Sequence, residues 1–79
     1  MFCEKLRASL LEEYKDVAKY NQMAVTAEEA YKPILKAIAK EEWSHAERLK
    51  EILYDMDGTL NQCELAARDE AKNSIEGSK

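Results

Sequence analysis

Only two glycines and one proline interrupt the 79 residues of this chain. No stretch alternates apolar and polar residues with the two-residue period of a strand, whereas apolar residues recur at steps of three and four. The sequence therefore predicts an all-α protein. A first helix is expected from about Glu4 to about Ala27. A second, about 33–56, opens on Pro33, whose missing N–H costs nothing in a first helical turn. Thr26 and Glu29 form a rival capping box that would start this helix earlier and leave Pro33 as a kink. "DMDG" closes the second helix, with Gly58 placed for a left-handed cap. Thr59 and Gln62 form another capping box, so a third helix is expected from near Leu60 to about residue 75. The whole chain, 1–79, reads as a single domain.

Two long helices joined by a short loop make an antiparallel hairpin, which encloses no core of its own. A chain this short buries only about 60% of its unfolded surface and needs a staple. Cys3 and Cys63 lie far apart with no CxxC pair, so they read as reduced thiols in an intracellular, cytoplasmic protein. A metal, a second copy, or both are then the staples to consider. Pairing two hairpins into a four-helix bundle solves the burial problem. The net charge of −4 argues against a nucleic-acid binder. No apolar run is long enough to span a membrane, and the N-terminus lacks the apolar stretch of a signal peptide.

Charged residues interrupt the apolar stripes at one level. Along helix 2 the stripe runs Leu35, Ile38, Glu42, His45, Leu49, Ile52 and Met56, flanked by Ala39, Ala46 and Leu53. Glu42 and His45, one turn apart, point where a core is expected. In helix 1, one stripe is Leu6, Leu10, Glu13, Val17, Tyr20 and Ala24. A rival stripe, Leu10, Tyr14, Val17, Asn21 and Ala24, leaves Glu13 flanking the core. A buried carboxylate must be neutralised or take up a proton. One hairpin offers three ligands, Glu13, Glu42 and His45, too few to close a site. A twofold dimer offers four carboxylates and two imidazoles, whose charge balances two divalent cations. That set is the one used by carboxylate-bridged di-iron bundles. Glu-x-x-His alone is a weak motif, so the competing expectation is that these three side chains set helix register by hydrogen bonds in a non-catalytic interaction module. Glu41 and Glu47 are expected to face solvent.

"EEYKDVAKY" in helix 1 and "KEEWSHAERLKEIL" in helix 2 resemble the first half of a ferritin-like di-iron domain. Glu13, Tyr20 seven residues later, and Glu42 and His45 about thirty residues on follow the rubrerythrin spacing. The short chain resembles encapsulated ferritins still more, which are two-helix half-ferritins that complete their site across a dimer. The resemblance covers residues 10–56. It implies that Glu42 bridges or chelates two irons, that His45 binds one by a ring nitrogen, and that Glu13 is a terminal carboxylate. It also places Tyr20 close by as a hydrogen bonder and makes Glu12 a candidate acid for metal entry. Trp43 points off the stripe and is expected at another subunit contact. The chain lacks the CxxC pairs of a rubrerythrin electron-transfer domain. Its tail, "AKNSIEGSK", offers only Ile75 as an apolar anchor for an encapsulin shell.

The expected function is then a ferroxidase holding two iron ions per dimer, with manganese and zinc also suited to such ligands. It would oxidise Fe(II) with O₂ or peroxide for iron storage or detoxification, as a homodimer or a ring of dimers, in the cytoplasm or inside an encapsulin compartment. The alternative enzyme is a rubrerythrin-like di-metal peroxidase drawing electrons from a separate partner.

Overall fold

The computed structural model describes residues 1–77. Three helices form in the expected order: α1, Phe2–Thr26; α2, Lys32–Asp55; α3, Gln62–Gly77. α1 runs unbroken through Thr26, so the rival capping box at Thr26 and Glu29 does not form. Glu29 instead pairs with Lys32 at 2.9 Å. Pro33 sits in the first turn of α2, as its chemistry demands.

Two element ends differ from the sequence expectation. Asp57, and not Gly58, takes the left-handed conformation after α2, with φ 61°. The Gly58 N–H donates to the Leu53 carbonyl (2.9 Å) and the Asp57 N–H to the Tyr54 carbonyl (3.0 Å), which is the Schellman pattern. Gly58 is required for closeness instead: a Cβ there would lie 2.5 Å from Leu53 Cδ1. The cap of α3 is Asn61, two residues beyond Thr59. The Glu64 N–H donates to Asn61 Oδ1 (2.8 Å) and the Asn61 N–H to Glu64 Oε1 (2.9 Å), a reciprocal box. Asn61 and Glu64 win because Glu64 also answers a tertiary partner, Arg7, whose Nη1 donates to Glu64 Oε1 at 2.6 Å.

α1 is the central element, and both other helices pack on it. Contacts between Arg7 and Glu64 near one end, and between Asn21 Nδ2 and Ser74 Oγ (3.0 Å) near the other, show that α3 runs parallel to α1. α2 returns antiparallel. The result is a rod of 42 × 18 × 16 Å. The rival stripe of α1 is the one the core uses: Leu10, Tyr14, Val17, Asn21 and Ala24 are all buried. From α2 the core takes Ala39, Ala46 and Leu53, the residues that flank the expected stripe. Alanines at 39 and 46 let the two helices approach closely. The expected stripe itself lies along the open edge of the hairpin, with Ile52 and Met56 more than 40% exposed. The covered side of α2 is the flanking one, turned against α1.

Candidate metal centre

Glu13 on α1 and Glu42 and His45 on α2 converge on that open edge. One ligand atom from each falls within 4.8 Å of the others. His45 Nδ1 lies 3.8 Å from Glu13 Oε2 and 3.9 Å from Glu42 Oε1. These separations are too long for hydrogen bonds. They match two atoms bound to one cation, since metal–nitrogen and metal–oxygen bonds of about 2.0–2.2 Å place ligand atoms up to about 4 Å apart. Glu13 Oε2 is buried and has no hydrogen-bond partner. A buried, orphaned carboxylate oxygen facing an imidazole across such a gap fits a divalent cation.

The electrostatics show the same strain. The Glu13 carboxyl is pushed up from its ordinary value to about 7. The facing Glu42 carboxyl, to which Glu13 can donate only when protonated, is the chief cause, burial the second, and the charges of Glu42, Asp16 and Glu12 add to it. Without a cation, the pair of acids holds a proton in its place. Glu42 and Glu13 are half-buried, while the His45 side chain is 52% exposed. An exposed imidazole at the rim leaves room for ligands from outside the chain.

The remaining expectations divide. Glu12 is exposed, and Glu41 faces solvent as expected. Tyr20 is half-buried against the core with Lys19 Nζ 4.8 Å above its ring. Glu47 does not face solvent: it accepts from Lys50 at 2.6 Å and from Arg68 Nη2 at 2.9 Å. Trp43 is half-buried within the chain. Its ring lies 5.7 Å from that of Tyr14, and the Arg68 guanidinium sits 5.2 Å from its centre. Tyr14 and Arg68 escaped the sequence reading as neighbours of the site. Tyr14 was legible through the rival stripe; nothing in sequence marks Arg68, because its partners are on another helix. Cys3 and Cys63 are free and exposed. No helix among the described residues is long and apolar enough to cross a membrane.

Two antiparallel helices that bring a carboxylate from one and a Glu-x-x-His pair from the other to a single point have the form of half a ferritin-like di-iron bundle. The family model for rubrerythrin matches residues 4–77, and the chain belongs to that family, within the ferritin-like di-iron superfamily. Neither the curated proteins nor the solved structures contain a match to it.

Proposed function

We propose that two copies of this chain join along the open edge to form a di-iron centre that oxidises Fe(II). The observation that carries this reading is the buried, unpartnered Glu13 Oε2 facing His45 Nδ1 at 3.8 Å. Three ligands leave a pair of cations half coordinated, and a twofold copy supplies the other three. The surroundings favour a second copy. Ile34 (57% exposed), Ile52 and Met56 lie with half-buried Leu35, Ile38 and Leu49 along the same edge, above and below the acids. Joining two such faces buries apolar surface and encloses the acids.

The chain's own groups define the chemistry. Glu13 and Glu42 supply anionic oxygen that favours the ferric product over Fe(II). Glu13 gives up its proton when the cations enter, and His45 offers Nδ1 as a neutral donor. Iron so held would pass electrons to O₂ or peroxide at positions the protein leaves open. The apolar flanks keep bulk water from the carboxylates.

Glu42→Ala and His45→Ala should each abolish most Fe(II) oxidation and weaken the dimer, as read by ferric absorbance and analytical ultracentrifugation. Oxidation by either variant at the parent's rate would remove these residues from the site. The family match favours one competing reading, a peroxidase fed by a separate electron donor. Faster turnover with peroxide plus donor than with O₂ would select it. Metal-free protein that stays folded and dimeric, and takes up no iron, would select a plain interaction module.

A further inference from the structure

α2 carries a second stripe that the metal ligands do not use. Lys36, Lys40, Trp43, Glu47, Lys50 and Tyr54 recur at steps of four and three, which puts them on one face. That face turns away from Glu42 and His45 and towards α3. Arg68 of α3 holds Glu47 at 2.9 Å and stands 5.2 Å from the centre of the Trp43 ring. α2 and α3 each pack on α1 and scarcely on each other. A seam is left between them, crossed by the Arg68–Glu47 bridge. Beside the bridge lies a groove of about 360 Å³. Lys36, Lys40 and Trp43 line it from α2 and Ile75 from α3, with Asn21 of α1 between them. Both lysines are exposed, while Trp43 and Ile75 are half-buried. The described residues that line the groove bring two ammonium groups and no carboxylate. On a chain of net charge −4 this is a local reversal of sign.

We propose that this groove docks an acidic peptide segment of another protein, with two carboxylates set on Lys36 and Lys40 and an apolar side chain seated between Trp43 and Ile75. Charge and spacing carry the assignment. Lys36 and Lys40 are one turn apart, about 6 Å along the helix. Alternate side chains of an extended peptide lie about 6.6 Å apart on one side. Two acids separated by one residue therefore match the two ammonium groups. Trp43 lies about 4.5 Å further along the helix, within reach of an apolar side chain that follows the second acid. Ammonium–carboxylate hydrogen bonds fix the register, and the apolar walls set which neighbour is accepted. The groove is concave, which suits a chain. A membrane surface would need the indole and the lysines on a convex apolar face. Docking here leaves the open edge with Glu13, Glu42 and His45 uncovered, so this partner does not compete with a cation or with a second copy at that edge.

The chain has a single tryptophan, so its emission reports on the groove directly. Metal-free protein is titrated with the peptide glutamate–serine–glutamate–serine–leucine, blocked at both ends. The test needs no metal, and its outcome is independent of the iron-oxidising reading. The Trp43 emission should shift as the groove fills, and affinity should fall at least about tenfold between about 0.05 M and about 0.5 M salt. Lys36→Glu and Lys40→Glu should each weaken binding at least about tenfold. Lys40→Arg should keep it. Lys15→Glu makes the same change of net charge outside this groove, beside Cys63, and should leave binding unchanged. Equal loss in Lys15→Glu, equal binding of the peptide with glutamine in place of glutamate, or no shift at about 1 mM peptide overturns the proposal. Phosphatidylserine vesicles that bind through Lys40 more tightly than the peptide does would overturn it in favour of a membrane. A change in sedimentation of the protein alone in Lys40→Glu would overturn it in favour of another copy of this chain.

Discussion

Glu13 holds its proton up to about pH 7, well above the carboxylate norm, and two consequences follow at this residue. Below about pH 4.5 the carboxyl is neutral in both folded and unfolded chains. As the pH rises towards about 7, the unfolded chain releases the proton while the fold keeps it, so metal-free stability falls across that window. Glu13→Gln keeps the group neutral and should flatten this slope in urea denaturation curves taken from about pH 5 to about pH 8. The same substitution should stabilise the metal-free protein above neutral pH while removing a ligand. Cation binding must also displace the proton, so calorimetry in buffers of different ionisation enthalpy should show proton release below about pH 7, and affinity rising with pH. The glutamate and histidine positions were legible because charged residues interrupted an apolar period. Which side of helix 1 was buried was not, since two stripes one residue apart fit equally well. Packing against two helices instead of one decided for the stripe containing Tyr14 and Asn21.

The ends of the helices test the fold at the scale of elements. Asp57 occupies a left-handed position that costs most residues about 1 kcal/mol or more. Asp57→Gly should therefore raise stability by about 1 kcal/mol in equilibrium unfolding. Gly58→Ala should do the reverse, by about 1–3 kcal/mol, because the added methyl meets the buried Leu53 side chain and its carbonyl. Asn61→Ala should cost about 1 kcal/mol by opening the cap of α3. Arg7→Ala should cost more, about 3 kcal/mol, since Glu64 is only 2% exposed and would lose the cation it pairs with. The existence and order of the helices, and the place of Pro33, were plain from periodicity and breakers. The cap residues were not. The stretch 55–62, with Gly58 and Asn61, offered several local solutions, and contacts with Leu53 one turn back and with Arg7, distant in sequence, chose among them.

For the whole molecule, the proposed dimer predicts that folding and metal uptake depend on concentration together. Ile52→Lys places a charge at the apolar edge without touching the ligands. It should shift the protein to monomer in ultracentrifugation and lower iron affinity at least about tenfold. An unchanged sedimentation profile with unchanged iron binding would place the second copy elsewhere. The expectation of a second copy rests in the sequence on a ligand count. The third helix was legible as a helix, but its role was not. It closes the face opposite the acids, fixing Trp43 and Glu47 through Arg68, a linkage that only the tertiary arrangement reveals.

The parallel course of α1 and α3 has an engineering consequence. Phe2 and Gly77 lie at opposite ends of a rod 42 Å long. A twofold axis through the acids, perpendicular to the helices, would reverse one rod against the other. The last helix of one copy would then finish at the end of the bundle where the first helix of its mate begins. A linker long enough to cross the width of one rod would write both copies into one polypeptide. Such a tandem protein could carry a different ligand set in each half, so that the two metal positions could be altered one at a time.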